Sequence, residues 1–318
     1  MKKIFFWPRF ILSANRYINK KINHIFYHIK IKIGNIFCNY CCSGIKLAYY
    51  NGVPNFGDLL NKDIMKYLGV NYCCTSFHKS NLLAIGSILG EITTNNDVEK
   101  LSNHGIINIW GSGFIKKETL SKEHFIKNVN IHALRGNLSK SRCEKILGFN
   151  LNNIALGDPG LLAARAIKFD NVEKKYDVGI VPHYVDKNSK FLNNIKLNHK
   201  SYKIIDVQDD TKKVCKEINE CKLILSSAMH GLIVSDSYGI PNKWIRLSDD
   251  VFGGDYKFND YYSVFDIAGV NPVDLRKKYI IDKDIDIFID NYQIKKEEVS
   301  NICLRLEESF SYLYKNKK

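Results

Sequence analysis

The sequence predicts an α/β protein built from two Rossmann-like lobes, with an amphipathic helix ahead of them. Three observations lead there. Short apolar runs that end in glycine are the text of buried parallel strands. Strand-like and helix-like patterns alternate on both sides of one charged stretch, 168–176, which serves as linker. A chain of 318 residues also exceeds what one core holds comfortably, and suits two domains of roughly 100–150 residues. The expected division is a basic segment over 1–43, a first lobe over 44–167, a second lobe over 177–292 and a C-terminal helix over 293–318.

Taken in order, Ile11, Ile18, Ile22, Ile25, Ile29, Ile33 and Ile36 recur at spacings of three, four and seven, an apolar helical stripe opposite Arg16, Lys20, Asn23 and Lys30. With Phe5, Phe6, Trp7, Phe10, Phe26 and Tyr27 nearby, this basic segment over 1–36 either lies on an anionic membrane surface or packs on protein. From Gly44 onward strands are expected at 45–50, 82–85, 107–110, 130–134 and 154–156, with helices at 58–68 and 138–147. Asp158-Pro159-Gly160 marks a turn. The second series has strands at 178–181, 203–207, 223–225 and 243–247, helices at 212–219 and 229–238, and another helix after Asp255. Val299, Ile302, Cys303, Leu306, Phe310 and Leu313 give the final helix its apolar face.

Hydrophobic residues form 45% of the chain and charged residues 25%, a soluble globular profile. Of the net charge of +14, nine Lys or Arg sit in residues 1–46 with no Asp or Glu. The excess therefore reports one segment and not a striped nucleic-acid surface, so nucleic acid is excluded as the main partner. Nine irregularly spaced cysteines suggest free thiols in a reducing cytoplasm. Cys38, Cys41, Cys42, Cys73 and Cys74 lack a repeated C-x-x-C spacing, so no metal is expected. Pro8 and Arg9 interrupt the apolar start before it reaches signal-peptide length, and no run is long enough to span a bilayer.

In an open parallel sheet ligands gather beyond the carboxyl ends of strands, and five segments fall there. Asn51-Gly52-Val53-Pro54-Asn55-Phe56-Gly57-Asp58 is a loop with polar groups at a helix start, or simply an Asx-capped turn. Gly86-Ser87 and Gly111-Ser112-Gly113 offer backbone N–H groups to an anion, without completing a phosphate-loop motif. Arg135 ends a strand with a fork suited to carboxylate or phosphate, or stands as a surface arginine. His183 follows another strand and either faces a cleft or caps the sheet. Ser226-Ser227-Ala228-Met229-His230-Gly231 places two hydroxyls and a histidine at a helix N-terminus, an anion-binding position whose dipole lowers the histidine pKa and favours a neutral base.

Several of these blocks, in order from about residue 45 to 245, together resemble the polysaccharide pyruvyl transferase family, in the branch of the succinoglycan and capsule ketalases. They are Tyr49-Tyr50-Asn51-Gly52 with Asn55-Phe56-Gly57-Asp58, Trp110-Gly111-Ser112-Gly113, Leu134-Arg135-Gly136, Leu156-Gly157-Asp158-Pro159, Ile180 to Asp186, and Ser226 to Gly231 continuing to Ile240-Pro241. Residues 1–43 lie outside these motifs. The resemblance implies a fold similar to the glycosyltransferase-B architecture, phosphoenolpyruvate as co-substrate with no further cofactor, and a lipid-linked or polymeric sugar acceptor. Arg135 and His230 match the family's donor-binding arginine and its histidine. Where some relatives carry a basic residue two places before that histidine, this chain has Ala228.

The implied chemistry is transfer of the pyruvyl unit onto a surface-glycan sugar as a cyclic ketal, with release of phosphate. Arg135, Ser226, Ser227, Gly231 and Gly111-Ser112-Gly113 are expected to hold the donor. Asn55, Gly57, Asp58 and His183 are expected to meet the acceptor, with His230, Arg135 and Asp58 catalytic. Two other readings share the scaffold: a nucleotide-sugar glycosyltransferase, and a non-catalytic member of a glycan assembly complex. The expected location is the cytoplasm, peripheral on the inner face of the membrane through the N-terminal helix.

Overall fold

The computed structural model describes residues 44–94, 105–117, 123–126, 128–267 and 269–315. The expected helix over 11–36 and Cys38, Cys41 and Cys42 lie outside them.

Six parallel strands make the first sheet: β1 (Ile45–Ala48), β2 (Tyr72–Cys74), β3 (Leu82–Leu83), β5 (Ile106–Trp110), β7 (Asn128–Leu134) and β8 (Ala155–Leu156). Their order is β2-β1-β3-β5-β7-β8, while β4 (Thr93–Thr94) and β6 (His124–Phe125) form a separate antiparallel pair. Helix α1 (Phe56–Tyr67) follows β1, and α2 (Asn137–Leu147) follows β7. Asn55 caps α1 by accepting from Gly57 N at 3.1 Å, and Phe56, Leu60 and Ile64 form its buried stripe. Asn61 ties α1 to the end of β3: its side-chain amide donates to the Asp58 and Ile85 carbonyls and accepts from Ile85 N, each at 3.0 Å.

A short turn of helix, α3 (Ala163–Ala166), leads to the second parallel sheet, whose order is β11-β9-β12-β13-β14. Its members are β9 (Tyr176–Val181), β11 (Tyr202–Ile204), β12 (Cys221–Ser226), β13 (Asn242–Arg246) and β14 (Val273–Asp274), and β10 (Ile195–Lys196) pairs separately with β15 (Ile280–Ile281). Helices α4 (Thr211–Asn219), α5 (Met229–Ser237) and α6 (Tyr256–Tyr262) connect these strands. Helix α5 is buried on every side from Met229 to Asp236, as befits a helix packed among other elements and away from solvent. Gly231 lets it approach β12: a Cβ there would collide with Ser226 Oγ and lie 3.0 Å from Val181.

After α7 (Asp282–Asp290), helix α8 (Lys296–Lys315) returns to the first sheet. Trp110, fully buried, donates from Nε1 to the Leu306 carbonyl at 2.9 Å and meets Phe310 edge-on at 4.7 Å. Burial of a side chain this large contributes about 2–3 kcal/mol. The two sheets are joined closely, since Phe56 N donates to the Val207 carbonyl at 2.8 Å and a single apolar cluster contains Leu47, Trp110, Val181 and Leu232. The mixed α/β character and the parallel pairing agree with the strand and helix patterns of the sequence. The strand at 72–74, the small pairs and α7 carry no clear pattern of their own and were absent from the expected elements.

Candidate active site

Each sheet has a point where the chain, having added a strand on one side, turns back to add the next on the other. In the first sheet it lies between β1 and β3, and in the second between β9 and β12. Crevices beyond the carboxyl ends of strands at such points are where open α/β sheets bind ligands. Asn55 ends the loop after β1, Gly57 and Asp58 open α1, and the loop after β3 carries Gly86-Ser87. His183 follows β9, Ser226 ends β12, and Ser227 to His230 follow it. The two crevices meet: a Cβ on Gly57 would fall 2.6 Å from His230 Cβ and closer still to the imidazole Cγ and Nδ1. A glycine at 57 is thus required for the histidine to sit where it does.

His230 is buried and its Nε2 has no hydrogen-bond partner among the described residues. Burial, followed by the nearby charges of Arg135, Lys257 and His183, pushes its pKa down to about 3, so the ring is neutral at physiological pH. Asp58, in the first turn of α1, is pushed up to about 7 by burial, with Lys257 opposing and Asp158 adding to the rise. Asp158 accepts from Gly160 N through Oδ1 at 2.8 Å, but its Oδ2 is buried with no partner, and burial raises its pKa to about 6. Orphaned buried polar atoms cost about 1–3 kcal/mol each. Two of them in one cluster mark a place built for something other than stability.

Lys257, in the first turn of α6, was not singled out from the sequence. It is buried, donates to the Phe252 carbonyl at 3.1 Å, and has no carboxylate within ion-pairing distance among the described residues. Burial and the Arg135 charge lower its pKa to about 8, against the pull of Asp58 and Asp186. It supplies a positive charge whose field acts on His230, His183 and Asp58. It opens a helix after β13, as His230 opens one after β12, but across a longer loop that no local motif marks.

The polysaccharide pyruvyl transferase family model matches residues 2–249. The chain belongs to the polysaccharide pyruvyl transferase family. Because the match begins at residue 2, it takes in the N-terminal segment that the motifs left out, while Lys257 lies beyond its end. The chain is 32% identical over 241 residues to uncharacterized protein L143 of Acanthamoeba polyphaga mimivirus, covering 74% of this chain and 78% of that protein. It is 25% identical over 211 residues to succinoglycan biosynthesis protein ExoV of Rhizobium meliloti (strain 1021), covering 65% of this chain and 60% of that protein. As a polysaccharide pyruvyl transferase, the chain has pyruvyl transfer to polysaccharide as its general activity. No helix among the described residues is long and apolar enough to cross a membrane.

In this pyruvyl transferase several expected donor-binding groups are turned inward. Arg135 is fully buried: its guanidinium pairs with Asp260 at 2.9 Å and donates to Ser87 Oγ and the Phe114 carbonyl. Instead of an open fork, it is a fixed positive charge behind the site. The reason is Asp260 of α6, which also accepts from Ser139 N and Oγ. Ser226 Oγ is bonded to the Val181 and Ala228 carbonyls and Ser227 Oγ to Asp186. Ser112 Oγ donates to the Ala84 carbonyl, Gly111 makes room for Pro159, and Gly113 makes room for the Arg135 guanidinium. Asn55 is occupied as the α1 cap. His183 lies against Tyr184 with ring centroids 4.3 Å apart, its pKa lowered to about 3 by burial and then Lys257.

Proposed function

We propose that the chain transfers the pyruvyl group of phosphoenolpyruvate onto a sugar of a surface polysaccharide as a cyclic ketal, on a two-lobed scaffold of the glycosyltransferase-B kind. The observation that carries this reading is a neutral imidazole with an unpartnered Nε2 near a buried ammonium that makes no ion pair among the described residues, at the meeting of two switch points. An anionic donor satisfies Lys257, and the first N–H groups of α5 add the positive end of a helix. Arg135 contributes its field from behind without touching the ligand.

His230, neutral at physiological pH, accepts the proton of the attacking sugar hydroxyl as its oxygen bonds to C2 of the donor. Asp58, which keeps its proton to near neutrality, delivers one to C3, so the enol double bond becomes a methyl group. The phosphate then leaves with the electrons of its C2–O bond. A second hydroxyl of the same sugar closes the ketal and gives its proton to the Asp58 carboxylate, while the proton held on His230 leaves with the phosphate. His183 lines the acceptor side.

Inorganic phosphate release from phosphoenolpyruvate in the presence of glycan acceptors tests the reading. Release is expected with the native chain and loss of about 10²–10⁴-fold with His230→Ala. Equal release by both proteins, or none by either with any acceptor, would overturn it.

A further inference from the structure

We infer that the cavity beyond the carboxyl ends of β12 and β13 is the sugar subsite, and that it takes a neutral, hydroxyl-rich pyranose ring of the acceptor. The inference rests on the pyruvyl-transfer reading above and gives the acceptor a place and a chemical class. The cavity encloses about 360 Å³, within the lower part of the range of small-ligand sites, about 300–1,000 Å³. Ser227 borders it just past β12, and Arg246, Leu247 and Ser248 border it at the end of β13.

Its lining combines apolar and polar groups. Trp244 stacks on Phe258 with centroids 4.1 Å apart and planes at 12°. The buried Asp186 carboxylate is held by the hydroxyls of Ser227, at 2.7 Å, and Ser248. Arg246 pairs with Asp255, and its guanidinium lies 5.8 Å from the Trp244 ring centre. Carboxylates accept from ring hydroxyls and a guanidinium donates to them, while the aromatic pair suits the C–H surface of a sugar. Fixed groups of this kind recognise a polyol without reorganising.

Charge separates this compartment from the donor's. Of the lining carboxylates, Asp255 is paired with Arg246 and Asp249 with Arg276, which leaves the buried Asp186 as the one negative charge without a guanidinium partner, and it disfavours a doubly anionic donor. Lys257 adjoins the cavity, since it directly precedes the lining residue Phe258 and donates to the Phe252 carbonyl at 3.1 Å. A sugar seated in the cavity therefore presents its hydroxyls towards the donor held at Lys257 and His230.

Saturation-transfer NMR on the full chain, with methyl glycosides of glucose, galactose, mannose, N-acetylglucosamine and N-acetylmannosamine, reads this subsite without turnover. Transfer to at least one glycoside is expected, with loss in Ser248→Phe, which fills the cavity. Arg246→Gln leaves the cavity open and is expected to weaken binding roughly tenfold. Stabilisation of the protein by phosphoenolpyruvate should persist in both variants. The inference is overturned by no transfer to any glycoside, by equal transfer in all three proteins, or by phosphoenolpyruvate stabilisation disappearing together with glycoside binding. Displacement of the glycosides by magnesium UDP-glucose would assign the cavity to a nucleotide and overturn it too. A chain that binds glycosides here yet releases no phosphate from phosphoenolpyruvate refutes the transfer reading and leaves the subsite standing.

Discussion

Gly57→Ala probes the joint between the two switch points more directly than removal of a catalytic group. The new methyl would stand 2.6 Å from His230 Cβ and nearer to Cγ and Nδ1, whereas ordinary contact begins near 3.4 Å. The imidazole must therefore retreat by roughly 1 Å, a displacement that costs about 10²-fold in rate when it misplaces a reacting group. Stability should move much less. Alanine in place of a helical glycine favours α1 by up to about 1 kcal/mol, against an overpacking cost of about 1–3 kcal/mol. The net change is a melting temperature lowered by no more than a few degrees. Phosphate release and thermal melting are measured on Gly57→Ala, His230→Ala and the double variant. In the His230→Ala background the contacts with Cγ and Nδ1 are gone and only the 2.6 Å approach to Cβ remains, so the second substitution should cost less than in the native chain, with a coupling of about 1–3 kcal/mol. Native turnover in Gly57→Ala, or the same destabilisation with and without the His230 ring, would refute the reasoning.

Asp58→Asn should become more stable than the native chain as pH rises. The native carboxyl has its pKa raised from 3.8 to about 7, so the folded state holds a proton that the unfolded state loses between those values. The stabilisation linked to that proton is present below about pH 4 and gone above pH 7. The variant's advantage should reach on the order of 2–4 kcal/mol at pH 8 and vanish near pH 4 in melting curves, while its turnover falls at every pH. Lys257→Met should raise the half-saturating concentration of phosphoenolpyruvate about 10²-fold with little loss of melting temperature, because a poorly paired buried ammonium is removed. Titration of phosphate release against donor concentration reads it. Arg135→Met should cost about 3–5 kcal/mol in chemical denaturation by leaving Asp260 charged and unpaired in the interior, and Asp260→Asn in addition should recover part of that loss.

The readable parts of the site were those set by local order along the chain. His230 and Asp58 stand in the first turns of helices that follow strands, and the alternation of apolar runs with turn residues is enough to place them there. Lys257 occupies the same kind of position, yet a single lysine between Tyr256 and Phe258 has no motif and was passed over. Arg135 shows the opposite case. Its place at a strand end was legible, but whether its fork faced a ligand depended on Asp260, 125 residues further along.

By itself, then, the sequence determined the α/β class, most strand and helix positions, the family and the loops that border the crevices, because periodicity and capping act within a few residues. Only the tertiary structure decided which of those side chains face open space and what charge they carry. Gly57 makes room for an imidazole 173 positions away in the chain, and α6 brings both the ion partner of Arg135 and the buried ammonium of Lys257. Burial and charge proximity are sums over residues distant in sequence, and the folded packing alone fixes them.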